Sequence, residues 1–187
     1  MTFSNQNPSR RFRLRLLWAL LPVLILLLAG SASPAQEGGS REYEIKAAFI
    51  YNFVKYVDWP SDPGPNIVLG VYGKDPFGSA LDAVNGKTVR GKTLVVRRLS
   101  DRRDITRVQI LFICNSEKDR LRSILDSLRG DSVLTIGEMP NFAQNGGIIG
   151  FRNENNKVRF DIDPDAAEHA RLKISSYLLR LARIVHG

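Results

Sequence analysis

A single cysteine, Cys114, occurs in the 187 residues. That excludes an intramolecular disulfide and leaves stability to the core. Acidic side chains are missing from the whole stretch before Glu37, although Arg10, Arg11, Arg13 and Arg15 lie within it. No apolar run reaches the roughly 20 residues that a membrane span needs; the longest, Leu16–Ala29, has 14. His169 and His186 are the only histidines, and neither is spaced from a carboxylate or cysteine as zinc ligands are. A Gly-x-Ser-x-Gly elbow is also missing, so no hydroxyl is marked as a nucleophile.

What the first 35 residues do contain is ordered. Four arginines precede the 14-residue apolar run, and Gly30-Ser31-Ala32-Ser33-Pro34-Ala35 follows it. Charge, then apolar side chains, then small side chains is the pattern of a secretory signal peptide. Cleavage is expected between Ala35 and Gln36. No cysteine stands at that exit, which excludes acylation as a lipoprotein. Without the four arginines, 23 basic residues face 19 acidic ones, a net +4 in place of the full chain's +8. Such a balance is ordinary and gives no support to nucleic-acid binding. The expectation is an exported, periplasmic product: residues 1–35 removed, a disordered lead-in over 36–41, and one domain over 42–187.

Within that domain the apolar periodicity is informative. From Tyr43 to Trp59 it is helical, with Phe49, Ile50, Phe53, Val54 and Val57 on one face and Ala48, Tyr51, Asn52 and Lys55 on the other. Pro60 ends the pattern. Strands are predicted over 67–72, 92–98 and 133–136, and helices over 77–84 and 117–128. Residues 108–114 are almost wholly apolar, the signature of a central strand covered on both faces. Residues 147–151 and 157–162 flank a polar tip and read as a hairpin. Asp163-Pro164 supplies a cap and a first helical proline. A last helix is predicted over 174–185, with Ile174, Tyr177, Leu178, Leu181 and Val185 as its inward stripe. Strands and helices alternate before the closing hairpin, so the predicted fold is a single three-layer α/β domain. Its mixed sheet is expected to hold five or six strands.

Chemistry-bearing patterns fail one by one. Gly73 to Ser79 follows a strand and precedes a helix, but Ser79 and Ala80 stand where a phosphate-binding loop needs Lys and Ser or Thr. A strand-to-helix turn explains it. Asp161, Asp163 and Asp165 alternate like the start of a calcium loop, yet Ala166 and Leu172 replace the required Gly and Glu. Cys114 ends a buried strand, where a thiol is a small inert hydrophobe. No catalytic, cofactor-binding or metal-binding residue is assigned, and the chain is read as a non-enzyme.

What remains is surface. Eight of the residues from Phe49 to Trp59 are apolar or aromatic, more than one buried face requires. Tyr51, Asn52, Lys55, Tyr56 and Trp59, with Arg152 and Arg159 on the hairpin, are the candidate partner-contact residues. A competing reading is an anion-binding module, with Lys55, Arg159, Arg171 and Lys173 converging near helix termini. Arg171 and Lys173 are its first candidates.

Two segments carry a resemblance. Lys46-Ala47-Ala48-Phe49-Ile50-Tyr51-Asn52-Phe53-Val54-Lys55-Tyr56-Val57-Asp58-Trp59-Pro60 opens the domain. Gly146 to Phe151, Lys157 to Ile162, Ala166-Ala167 and Leu172 to Ala182 close it. In this order after a signal peptide, the chain resembles the YfiR (HmsC-like) family of periplasmic proteins over Tyr43 to Val185. The resemblance implies a dimeric regulator that represses an inner-membrane diguanylate cyclase by binding its periplasmic sensor portion. Release raises cyclic di-GMP and favours biofilm formation, and an outer-membrane lipoprotein sequesters the repressor. Redox sensing through disulfides, also known in the family, is not carried over to a chain with Cys114 alone.

Overall fold

In the computed structural model the residues described are 35–187, with side chains from Gly39 onward. Residues 37–187 form one compact unit. The signal-peptide reading falls almost wholly outside the described residues. Helix α1 spans Ala35–Tyr56. Residues 36–41, expected as a disordered lead-in, are therefore its first turns.

The helix stops three residues before the predicted end. Val57–Asp58 forms β1, paired antiparallel with Lys173–Ile174, labelled β9. The Ser175 N–H donates to Tyr56 O (2.9 Å), so the closing segment takes over a carbonyl at the end of α1. The remaining strands are β2 (Asn66–Tyr72), β3 (Thr88–Val89), β4 (Lys92–Leu99), β5 (Ile110–Ile113), β6 (Leu134–Gly137), β7 (Ile149–Glu154), β8 (Lys157–Ile162) and β10 (Arg183–Ile184). The remaining helices are α2 (Leu121–Ser127), α3 (Pro164–His169) and α4 (Ser176–Leu181).

Eight strands make one mixed sheet, in the order β10-β8-β7-β6-β5-β2-β4-β3. The inner strands β7, β6, β5, β2 and β4 run parallel; β8 pairs antiparallel with β7 and parallel with β10, and β3 pairs antiparallel with β4. The count exceeds the predicted five or six because β3 and β10 are two-residue edge strands without a periodic signature. β5 is buried throughout, as its apolar run predicts. Ile110 and Phe112 enter the core beneath α1; Leu111 and Ile113 enter the core beneath α2. That alternation across a sheet with a helix on each face is the three-layer architecture.

The opening and closing segments meet in an aromatic cluster. Phe53 packs against Phe151 (ring centroids 5.9 Å) and Phe160 (5.1 Å), and Phe49 reaches Phe160 at 5.4 Å. Each such pair is worth about 0.5–1.5 kcal/mol beyond its buried area. The two segments that carry the family resemblance are thus parts of one packing unit.

Three local predictions need correction. Residues 77–84 hold only a 3-10 turn over Gly78–Leu81, because Gly78 adopts φ +54° and breaks helical geometry at its start. Residues 115–120 form a 3-10 segment, so α2 begins at Leu121. The predicted last helix shrinks to Ser176–Leu181 because β9 and β10 claim its ends for strand pairing. In so short a helix, capped by Ser175, the inward stripe reduces to Leu178; Tyr177 and Leu181 are 48% and 56% exposed.

Candidate functional site

The sequence-derived contact residues fall into separate groups. Tyr51 is half-buried and donates its hydroxyl to Thr88 O (2.9 Å), with the Lys55 ammonium 4.8 Å from its ring centroid. Asn52 bonds within the helix, to Ala48 O (2.9 Å), and accepts from Lys55 Nζ (2.9 Å). Trp59 is half-buried in the core margin, its indole N–H donating to Gln109 O at 3.3 Å. It lines a shallow groove with Val54, Val57, Ile67 and Val89.

Tyr56 belongs with the closing segment: its ring lies 4.9 Å from that of Tyr177. Strand pairing sets Lys173 opposite Asp58, one residue beyond Val57. Tyr177 and Leu181 stand one helical turn apart on α4, and Ile184 (42% exposed) follows on edge strand β10. Exposed large apolar side chains at such spacing form a patch, with basic Lys173 and Arg180 beside it in sequence. The sequence reading missed the patch because a longer helix would have buried Tyr177 and Leu181. No local sequence signal marks it, since strand pairing at both ends is what shortens the helix to Ser176–Leu181.

Arg152 and Arg159 sit opposite each other on the β7–β8 hairpin. Because Phe151 and Phe160 face α1, both arginines project from the other side of the sheet, away from Lys55. Arg171 adopts φ +57° and donates to Gly130 O. Lys55, Arg159, Arg171 and Lys173 therefore do not form one anion site in this structure.

The carboxyl ends of β2, β5 and β6 are where an open α/β sheet ordinarily binds ligands, since the chain leaves β2 for β4 on one side and crosses to β5 on the other. Here that region is filled. The Lys74 N–H donates to Ser116 Oγ (2.9 Å) and the Phe77 N–H to Asp75 Oδ1 (2.7 Å), so residues 73–79 act as a plain turn. Glu138 is buried beneath α1, accepting from the Tyr43 hydroxyl (3.0 Å) and from Lys46 Nζ (2.5 Å). Burial, then the Glu138 charge, push the Tyr43 hydroxyl well above its ordinary titration range. Burial foremost, then Asp75, Glu138 and Glu117, push the Cys114 thiol up to about 12. A thiol held protonated is a poor nucleophile.

One pairing escaped the sequence spacing. His186 Nδ1 lies 2.7 Å from Asp165 Oδ2, and with Asp163 these groups place their ligand atoms within 4.8 Å of one another. Asp163 is nevertheless engaged as a cap, accepting from the N–H groups of Asp165, Ala166 and Gly187.

Residues 43–183 match the YfiR/HmsC-like family. The chain belongs to that family. Its members are periplasmic regulators of cyclic di-GMP signalling. Among the described residues, no helix is long and apolar enough to cross a membrane. No curated protein sequence matches the chain. Among solved structures, a conserved domain protein from Vibrio cholerae is similar, with 11% identity, a TM-score of 0.52 and 76% of this chain covered. An ABC domain from Streptococcus pneumonia, in complex with L-Trp, gives 9% identity, a TM-score of 0.52 and 77% coverage. This chain spans 59% and 60% of those two chains respectively. At such identities the likeness concerns the fold alone.

Proposed function

We propose that this protein represses a membrane-bound signalling enzyme, a diguanylate cyclase, by protein–protein contact with the enzyme's periplasmic sensor region. Beyond the family, the observation that carries the reading is the apolar patch of Tyr177, Leu181 and Ile184, continuous with Tyr56 at the end of α1. Tyrosine and arginine are among the side chains enriched at interface anchors, and Leu181 and Ile184 add apolar area beside them. The patch rests on a braced base, since β9 is paired to β1 and β10 to β8. Export through the signal peptide, cleaved after Ala35, delivers the domain to that compartment. A homodimer and a sequestering outer-membrane lipoprotein complete the proposed circuit.

Cyclic di-GMP content of the cells tests the reading. Deleting the gene raises it, and the wild-type protein restores it. Leu181→Asp, exported and folded, fails to restore it. Full restoration by Leu181→Asp refutes the assignment of the patch, and unchanged cyclic di-GMP on deletion refutes the repressor role.

A further inference from the structure

On the face of the sheet opposite α1, a cleft of about 290 Å³ opens between the β7–β8 hairpin and the turn over residues 138–142. Its polar floor is an arrangement of Arg152, Asp161 and Arg183 from three adjacent strands. Strand register explains their convergence. Asp161 pairs with Arg183 on β10 and with Gly150 on β7, two residues from Arg152, so all three side chains share one face. Asp161 is 6% exposed. Arg183 holds it with both arms of a fork, Nε to Oδ1 (2.9 Å) and Nη2 to Oδ2 (2.5 Å). Arg152 adds a third bond, Nε to Oδ1 (2.8 Å).

One forked arginine satisfies a buried aspartate. The second guanidinium is surplus to that structural need. Its Nη1 also meets Glu154 at 3.0 Å, but Glu154 is half-exposed and its charge is screened by water. Glu138, at the rim, is paired with Lys46, which it shares with Glu42, and accepts from the Tyr43 hydroxyl. Among the described residues, each arginine engages two of its five N–H groups with carboxylates, leaving three apiece without a protein acceptor, and both residues line the cleft. The amide side chains of Asn141 and Asn153 belong to residues lining the same space, and Met139 and Phe142 supply apolar wall. The volume is at the small end for ligand sites. A cleft of that size with surplus guanidinium donors, neutral amides and an apolar wall is complementary to a compact anion.

We propose that this cleft binds a small oxyanion-bearing metabolite, a carboxylate or a phosphate, on the free edges of Arg152 and Arg183. The site differs from the basic set predicted by sequence and does not depend on the partner contact. Ligand binding is independent of any cyclase, so either assignment can fail alone.

Isothermal titration of the purified protein with succinate, citrate, L-glutamate and inorganic phosphate, at fixed ionic strength, tests the proposal. Saturable one-to-one binding of at least one probe is expected, with Kd below about 1 mM. The carboxylate and phosphate arms identify which oxyanion is preferred. Arg183→Gln leaves Asp161 paired with Arg152 and is expected to weaken binding about tenfold or more, the loss of a charge-assisted fork. Arg152→Lys keeps the charge and removes the fork, and is expected to weaken binding likewise. Should Arg183→Gln fail to fold, Arg152→Lys decides. Absence of binding by all four probes overturns the proposal, as does binding that the folded variants leave unchanged.

Discussion

Lys46 carries its ammonium into a site where it is 4% exposed, between Glu42 and Glu138. On sequence alone it reads as one more polar residue of an amphipathic helix. Nothing in the periodicity shows that a glutamate from 92 positions later arrives above it. Glu138→Leu leaves Lys46 with Glu42 as its one carboxylate and strands the Tyr43 hydroxyl, so it is expected to cost about 1–3 kcal/mol in a urea melt. Trp59 behaves differently. Half-buried and bonded to Gln109 O, it is expected to lose about 2 kcal/mol on Trp59→Ala, less than the 3–5 of a fully buried ring. Cys114 makes a third case. Burial holds its thiol near 12 against an ordinary 9.0, so the folded state favours the protonated form. The associated stability is complete below about pH 9 and is lost as pH rises towards 12. Ellman's reagent at pH 8 is expected to leave native Cys114 unmodified and to label it fully after unfolding.

At the scale of elements, the sequence is most readable where one physical demand acts alone. The apolar run of β5 can only be a strand covered twice. Phe49, Ile50, Phe53 and Val54 can only be one face of a helix. Asp163 followed by Pro164 starts α3 as predicted, its carboxylate accepting from Asp165 N and Ala166 N. Readability fails where two demands compete. Residues 173–184 have helical periodicity, but pairing with β1 and β8 wins at both ends, and the short helix between them turns Tyr177 and Leu181 outward. The hairpin tip is also narrower than its polar sequence implies: β7 continues to Glu154 and the turn is Asn155-Asn156 alone, with φ +50° and +58°. A two-residue turn that is left-handed at both positions favours Asn and Gly and rejects branched side chains. Asn155→Val is therefore expected to destabilise the fold by about 1–2 kcal/mol, and Asn156→Gly to be neutral or stabilising, both by thermal melting.

For the molecule as a whole, fold class and family were readable because they depend on the order of elements and on two long segments. The surface was less so. Of the predicted contact residues, Tyr56 reaches the neighbourhood of the apolar patch; Lys173, a candidate of the anion-binding reading, lies near it. Arg152 faces the opposite side of the sheet, and Tyr51 is bonded to the β3 backbone. Exposure of Tyr177 and Leu181 arises from tertiary pairing, which no local window of sequence encodes. The same exposure separates folding from binding at Leu181: Asp there removes little buried area and is expected to change stability by no more than about 0.5 kcal/mol. Biolayer interferometry between the purified protein and the periplasmic region of a diguanylate cyclase from the same cells measures the central claim directly. Saturable binding, weakened about tenfold or more by Leu181→Asp with an unchanged melt, is the predicted result. No binding to the cyclase, or equal binding by wild type and Leu181→Asp, would contradict the account.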